Sequence, residues 1–350
     1  MGGAKKHSEL KQNLQKLRPL SSTETDICVP HFYGIGFFKL KLVDLHEDFA
    51  VTSQTVDVRK DSKQSSVEAL KNLGDCLIFS VLFPHINTWD EKTEYLTKKY
   101  GFVTHSTQPL LQVLIEQLKF YLYLERTGWV SLIRKKEDLN RQSTKFLLAM
   151  EGVDVLSDPY DAYLLKQLNV YSVGLTWNYD NKFAASCMSK KDYGLTGYGE
   201  ELVQLCNKLG MLVDLAHASK QTIVDAANTS KKPIIVSHTN AKKLRDHVRN
   251  LDDDSIEAVV KTGGVIGVTA IPNTLSENAN ISDIVRHAEY IGENFGWKHV
   301  ALGTDFLGID TTPKDFEDVS KVVQLRELLG PHADDVLWKN AYEILQKTVE

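Results

Sequence analysis

Short apolar runs recur along the chain: KLVDL (41–45), CLIFSVLF (76–83), KFLLAM (145–150), VYSVGLT (170–176), MLVDL (211–215), PIIVS (233–237), GGVIGVT (263–269) and KHVALG (298–303). Each is nearly continuous and rich in β-branched residues or leucine, the composition of a strand buried on both faces. Pro233 opens its run, a place where a strand tolerates proline. Most of the segments between runs have helical spacing. GEELVQLCNKLG (199–210) carries apolar residues at 202, 203, 205, 206 and 209 and stops on Gly210. Ser219 and Ser282 are the expected N-caps of the helices that follow them. Strands alternating with helices predict parallel pairing and right-handed crossovers. Eight such units predict a closed (β/α)8 barrel of the TIM type, with a doubly wound sheet as the competing arrangement. Residues 41–350 are expected to form this one barrel domain. Residues 1–40, polar at first and then including HFYGIGFF (31–38), are expected to form a leader that packs on the barrel or stays partly mobile.

Composition narrows the class. A chain of 350 residues can bury a large core without disulfides or structural metals. With 42% hydrophobic and 25% charged residues it is not a disordered chain. Lysine and arginine number 41 against 46 acids, a net charge of -5, which argues against nucleic acid as the main ligand. Cys28, Cys76, Cys187 and Cys206 lie far apart with no CxxC and read as reduced thiols of a cytoplasmic protein. The amino terminus lacks an apolar signal core, and Lys6 breaks the myristoylation pattern that Gly2 would begin. No run approaches the roughly 18 apolar residues needed to span a bilayer. The expectation is a protein with no membrane anchor. The charge runs Arg134–Lys136 and Asp252–Asp254 read as solvated helix ends and turns.

In a barrel of this kind the chemistry sits at the carboxyl ends of the strands. There the sequence places Asp44, His46, Glu47 and Asp48, then Glu151, Trp177 and Asn178, Asp214 and His217, Ser237 and His238, and Asp305. Any one of these has an ordinary structural explanation. Three histidines with several carboxylates at one end of the barrel do not, because converging carboxylates repel unless cations compensate them. His46 and Asp48 are two residues apart and project to one side of extended chain. His217 and His238 come from adjacent strand ends, and Glu151 lies between the two groups in strand order. The spacing predicts one ion on His46 and Asp48 and a second on His217 and His238, with Glu151 shared. Imidazole and carboxylate without thiolate suit two Zn²⁺ ions in an open site, and Mn²⁺, Co²⁺ or Fe²⁺ also fit. Asp305 is left free for proton transfer.

The chain resembles the membrane dipeptidase (renal dipeptidase) family of binuclear zinc hydrolases, within the amidohydrolase-like barrels. The resemblance rests on VDLHEDFA (43–50), MEGVD (150–154), LTWNYDN (175–181), VDLAHAS (213–219), PIIVSHTNAKKLRDHVRNLDDD (233–254), GGVIGVT (263–269) and ALGTDFLGI (301–309), with VLWKNAYEIL (336–345) similar to the family's closing helix. It implies zinc ligands His46, Asp48 and bridging Glu151 on one ion, and Glu151, His217 and His238 on the other. It implies that Arg249, with Asn250 beside it, holds the substrate's terminal carboxylate, a task that suits a guanidinium fork. It also implies that Asp305 moves the proton during peptide cleavage. Trp177 stands where the animal enzymes carry a histidine that contacts the substrate. An indole cannot accept a proton, so that contact is lost or passes to Asn178 or Asn181. The expected activity is zinc-dependent hydrolysis of dipeptides, including those with a C-terminal D-residue, by a metal-bridging hydroxide. The alternative is hydrolysis of another amide, ester or phosphoester on the same metal platform. The expected partner is a small peptide substrate, and a homodimer is in keeping with the resemblance.

Overall fold

All eight apolar runs form strands. The computed structural model of the protein describes residues 40–60, 63–85 and 110–349, so the expected leader falls outside the described residues except for Leu40. The strands are β1 (Leu40–Glu47), β2 (Gly74–Leu82), β4 (Lys145–Glu151), β5 (Val170–Gly174), β6 (Leu212–Asp214), β7 (Ile235–Thr239), β8 (Val265–Val268) and β9 (Val300–Leu302). Every pairing is parallel and each strand bonds its two neighbours in turn. The ring closes through β2 on β4, with Leu77 opposite Lys145, and β1 on β9, with Asp44 opposite Leu302. This is the closed (β/α)8 barrel, and the open doubly wound sheet is excluded. One short strand lies beyond the expected eight: β3 (Ser131–Leu132) pairs with the start of β4 outside the ring. Two residues are too few to show a period.

Strand parity explains the near-continuous apolar runs. Val43 and Leu45, Leu77 and Phe79, Leu147 and Ala149, Tyr171, Leu212, Ile235, Val265 and Ala301 form one buried cluster, drawn from every strand of the ring. That cluster fills the barrel interior. Alternate residues such as Leu42, Ile78, Leu148, Val173, Val236 and Ile266 belong to a second cluster shared with the outer helices. Ala341, Ile344 and Leu345 of the last helix (Asn340–Thr348) join the interior cluster. Just ahead of that helix, the Trp338 ring lies beneath the ammonium groups of Lys41 and Lys145, at the amino ends of β1 and β4. The last helix therefore closes the end of the barrel opposite the polar strand ends. Lys145 itself is fully buried. Its ammonium is held by the Asp75 carboxylate and by the carbonyls of Arg141 (2.9 Å) and Ser143 (3.2 Å), which is how an apolar strand can open on a charge.

Helix boundaries follow local chemistry. The helix Gly197–Leu209 ends on Gly210, in left-handed conformation at φ 65. Ser219 caps the helix Lys220–Thr229 by accepting a hydrogen bond from the Thr222 N–H. Ser282 does not cap its helix. The helix begins at Ile281, and Asn280 accepts from the Ser282 N–H while Asp283 completes a capping box. Asparagine and serine cap equally well, and the Asp283 partner favours Asn280. The run Asp252–Asp254 is an N-cap and first turn, where carboxylates suit the helix dipole. No helix among the described residues is long and apolar enough to cross a membrane.

Candidate metal centre

Two aspartates shape the strand ends from which the site is built. At the top of β1, Asp44 Oδ1 accepts hydrogen bonds from the His46 N–H (3.1 Å) and the Thr304 N–H of the neighbouring β9 end (2.9 Å). At the top of β6, Asp214 Oδ1 accepts from the Ala216 N–H (3.0 Å) and the Ser237 N–H of β7 (2.9 Å). Each carboxylate satisfies backbone donors where two strands splay apart and their ladder ends. Both are buried, and burial pushes Asp44 up to about 6 against the hydrogen bonds from Thr304 and His46. The Asp-Leu pairs of VDLHED and VDLAHAS are thus matching clamps that aim the histidines following them.

The spacing rule for His46 and Asp48 holds only in part. β1 ends at Glu47, and its pairing with β2 slips register between Asp44 and Glu47. Asp48 therefore reaches the site from the bend that opens the short helix Phe49–Thr52. His46 Nε2 still lies 3.5 Å from Asp48 Oδ2, 3.6 Å from Glu151 Oε2 and 3.6 Å from Asp305 Oδ1. On the other side, Glu151 Oε1 lies 3.0 Å from His217 Nε2 and 3.6 Å from His238 Nε2. The two histidine nitrogens are 3.1 Å apart. One carboxylate thus presents one oxygen to His46 and the other to the His217–His238 pair.

The backbone is strained where it delivers these groups. His217 and Asp305 adopt positive φ, 65 and 62. Such conformations are sparsely populated by residues with side chains and persist where surrounding contacts impose them. Gly308 has a steric reason to be glycine. A Cβ there would come within 2.4 Å of Asp48 Oδ2 and 2.8 Å of Asp305 Oδ1, so the chain closes over both carboxylates only without a side chain.

Outer hydrogen bonds fix the rings. His217 Nδ1 lies 2.8 Å from Asn178 Oδ1, which can only accept, so Nδ1 carries the proton and Nε2 turns its lone pair inward. His238 Nδ1 lies 2.8 Å from Ser237 Oγ. Burial drives His217 down to about 3, helped by the Arg249 charge, and burial with the neighbouring His46 drives His238 down as well. Both are neutral imidazoles, the form that binds metal. Burial opposes charge on His46, yet Glu151, Asp48 and Asp305 together raise it to about 10. Burial likewise opposes charge on Glu151, and His46 and His217 outweigh it and hold the carboxyl well below its usual range.

This donor set fits divalent transition-metal ions. His46 Nε2 is buried with no hydrogen-bond partner, although three carboxylates surround it. That orphaned nitrogen, two bare imidazoles and an ionised central carboxylate are what a cation requires. His46, Glu151 and His238 each offer a ligand atom within 4.8 Å of the others, as do His46, Asp48 and Asp305. The second group places the Asp305 carboxylate among the candidate metal ligands.

The remaining expected site residues lie around this centre. Arg249 donates from Nη2 to the His238 carbonyl (3.3 Å) and lines a cavity of about 190 Å³ that also takes in His217, Cys187 and Thr239. Asn250 is buried, and its side-chain nitrogen donates to the carbonyls of Arg245 (2.9 Å) and Thr274 (2.8 Å), holding the loop that carries Arg249. Asn178 holds His217. Trp177 is half-buried at the rim, with its ring centroid 6.2 Å from that of His217. Asn181 accepts from the Phe183 (2.9 Å) and Ala184 (3.1 Å) N–H groups and donates to the Leu175 carbonyl (2.8 Å), so it shapes its own loop.

Comparison with known proteins identifies the family. A model of the membrane dipeptidase family, peptidase family M19, matches residues 37–350. The chain belongs to the membrane dipeptidase family. The chain is similar to two uncharacterized dipeptidases of Schizosaccharomyces pombe, 39% identical over 198 residues and 36% identical over 197 residues. These matches cover 53% and 54% of this chain and 47% and 48% of the relatives, so the chain spans about half the length of the curated relatives it matches. Among solved structures, the chain is similar to a metallopeptidase from Rhodobacter sphaeroides liganded with a phosphinate mimic of the dipeptide L-Ala-D-Ala. That likeness has a TM-score of 0.77 at 21% identity, covering 89% of this chain and 99% of that one. A probable dipeptidase from Pseudomonas aeruginosa gives 0.75 at 17% identity, covering 88% and 96%. At these identities the two structures speak for the barrel fold alone.

Several residues of this family member's site have roles that the sequence does not reveal. Asp44 and Asp214 stand among the strand-end acids, but clamping is a backbone function that a residue's type does not show. Ser237 and Gly308 lie inside the segments that carry the resemblance, but spacing gives no hint of what they touch. His85 and Asp154 form a pair 3.8 Å apart beside Gly152, with both facing atoms buried and without hydrogen-bond partners. His85 follows β2, the strand that ends without an ionisable group.

Proposed function

We propose that this chain is a metal-dependent dipeptidase holding two zinc ions, one on His46, Asp48 and Glu151 and one on Glu151, His217 and His238. What supports this most is the split of the Glu151 carboxylate, one oxygen toward His46 and the other toward His217 and His238. When bound, the ions supply Lewis-acid polarisation of the scissile carbonyl and a nucleophilic water at neutral pH. The chain's own residues do the rest. Asp305 sits half-buried at the rim beside His46, and desolvation of its carboxyl pushes it up to about 7. A carboxyl poised there can take the water proton and return it to the leaving amine nitrogen. Asn178 and Ser237 keep the two imidazoles turned inward. Arg249 faces the cavity beside His217 and His238 and anchors the free carboxylate of the substrate, which limits the enzyme to short peptides. The family resemblance places dipeptides with a C-terminal D-residue beside L,L dipeptides among the proposed substrates.

The reading is tested with zinc-loaded protein on a panel of L,L and L,D dipeptides, in wild type and Arg249→Ala. Wild type is expected to cleave free-acid dipeptides. The variant is expected to raise KM by roughly 10–100-fold, the worth of a charge-assisted hydrogen-bonded pair, with a much smaller effect on C-terminally amidated analogues. An equal effect on both substrate types would refute the anchoring role.

A further inference from the structure

We infer that Trp177, Tyr179 and Phe83 form an apolar subsite for the side chain of the substrate's first residue, so that the enzyme prefers dipeptides beginning with an aromatic or large aliphatic residue. This rests on the dipeptidase reading above and extends it to substrate class. The Trp177 ring meets Phe83 edge-on at 5.0 Å and Tyr179 edge-on at 5.4 Å between centroids. Tyr179 is 47% exposed and packs directly on the Trp177 ring.

The wall is built rather than incidental. His85 packs behind it, 4.3 Å from the Phe83 ring and 5.1 Å from the Trp177 ring. On its other side His85 abuts Gly152, where an added Cβ would come within 2.6 Å of His85 Nε2. His85 thus lies between the Trp177 ring and Gly152. Edge-on packing of this kind contributes about 0.5–1.5 kcal/mol per pair and fixes the indole between Phe83 and Tyr179, with its centroid 6.2 Å from that of His217.

Strand order gives the direction. Phe83 and His85 follow β2, Trp177 and Tyr179 follow β5, His217 follows β6, and Arg249 lies in the loop after β7. His217 stands between the aromatic wall and the Arg249 cavity, and it touches the margin of each. A dipeptide anchored by its carboxylate at Arg249 puts its second residue in that cavity, whose lining is mostly polar. Its scissile carbonyl then lies over the histidines, and its first residue faces Trp177. An indole offers a single N–H and no acceptor, so the wall contributes apolar area rather than proton chemistry.

The test compares kcat/KM of the zinc-loaded enzyme for Phe-Ala, Leu-Ala, Gly-Ala, Ala-Phe and Ala-Gly, in wild type, Trp177→Ala and Trp177→Phe. Calorimetric binding of Phe-Ala and Gly-Ala to the same three proteins is measured alongside. Wild type is expected to favour Phe-Ala over Gly-Ala by roughly 10–100-fold, the scale of apolar pocket discrimination. Trp177→Ala is expected to reduce that ratio at least about tenfold, and Trp177→Phe to keep most of it. The Ala-Phe to Ala-Gly ratio is expected to move little. Equal rates on Phe-Ala and Gly-Ala in wild type would overturn the inference. So would loss of all substrates by one factor in Trp177→Ala, or a change confined to the second residue. If no dipeptide is cleaved but Phe-Ala still binds more tightly in a Trp177-dependent way, the dipeptidase reading fails and the subsite stands. Cleavage without discrimination upholds the dipeptidase reading and removes the subsite.

Discussion

Glu151→Gln is expected to cost the protein its metal and about three orders of magnitude or more in kcat/KM. The side chain is nearly isosteric, so packing is kept and the charge is what changes. In the native site the carboxylate serves two groups at once, with Oε2 at 3.6 Å from His46 and Oε1 at 3.0 Å from His217. An amide offers one oxygen acceptor and turns an NH₂ toward the other group, where it repels a cation and presents no lone pair. With two ions bound as proposed, both would lose a ligand together, which separates this substitution from replacement of a histidine on one side. Metal content after dialysis is expected to fall from two ions per chain to one at most, and excess zinc is not expected to restore the rate. Retention of two ions with near-native activity would show that the centre is organised around a different group.

Asp305→Asn is expected to lower kcat by roughly 10²–10⁴-fold, the usual worth of a positioned acid–base group, while both ions stay bound. The variant should also lose the acid limb of the kcat profile, because asparagine has no proton to gain as pH falls. The neighbourhood makes this more than a routine check. Asp305 Oδ1 is 3.6 Å from His46 Nε2 and groups with Asp48, so the same carboxylate is close enough to the ligands to become one. Desolvation pushes Asp305 up to about 7 in the absence of cations. A positive charge beside it lowers that value, so the acid limb of the holoenzyme is expected below 7. If Asp305→Asn loses an ion, Asp305 is a ligand and the proton carrier lies elsewhere.

Much of this molecule can be read from its sequence, and what cannot has identifiable physical causes. The eight strands show because each is buried on both faces, which leaves an apolar signature even in the three residues of β6 and β9. β3 has no such signature, since it pairs on one side only. The ligand types show because histidine and carboxylate at strand ends carry their chemistry in their identity. Their geometry shows less well. Asp48 comes from a bend beyond a register slip, not from the extended chain that its spacing implies. Asn178 and Asn250 have the polar groups that suggest substrate contact, but each is committed to the protein itself, one to His217 and the other to two loop carbonyls. The clamps at Asp44 and Asp214 are invisible for a related reason: their partners are backbone N–H groups, and those carry no sequence label. The aromatic wall depends on Phe83 and Trp177 meeting from strands nearly a hundred residues apart, which only closure of the barrel through β2 and β4 brings about.

The central claim is that Glu151 lies between two cations. An anomalous difference map from crystals of the zinc-loaded protein, collected at the zinc edge, addresses it directly. Two peaks roughly 3.5–4 Å apart, one beside His46 and Asp48 and the other beside His217 and His238, each within bonding distance of a different Glu151 oxygen, is the expected result. A map with no peak at Glu151, or with one ion held away from it, would contradict the account.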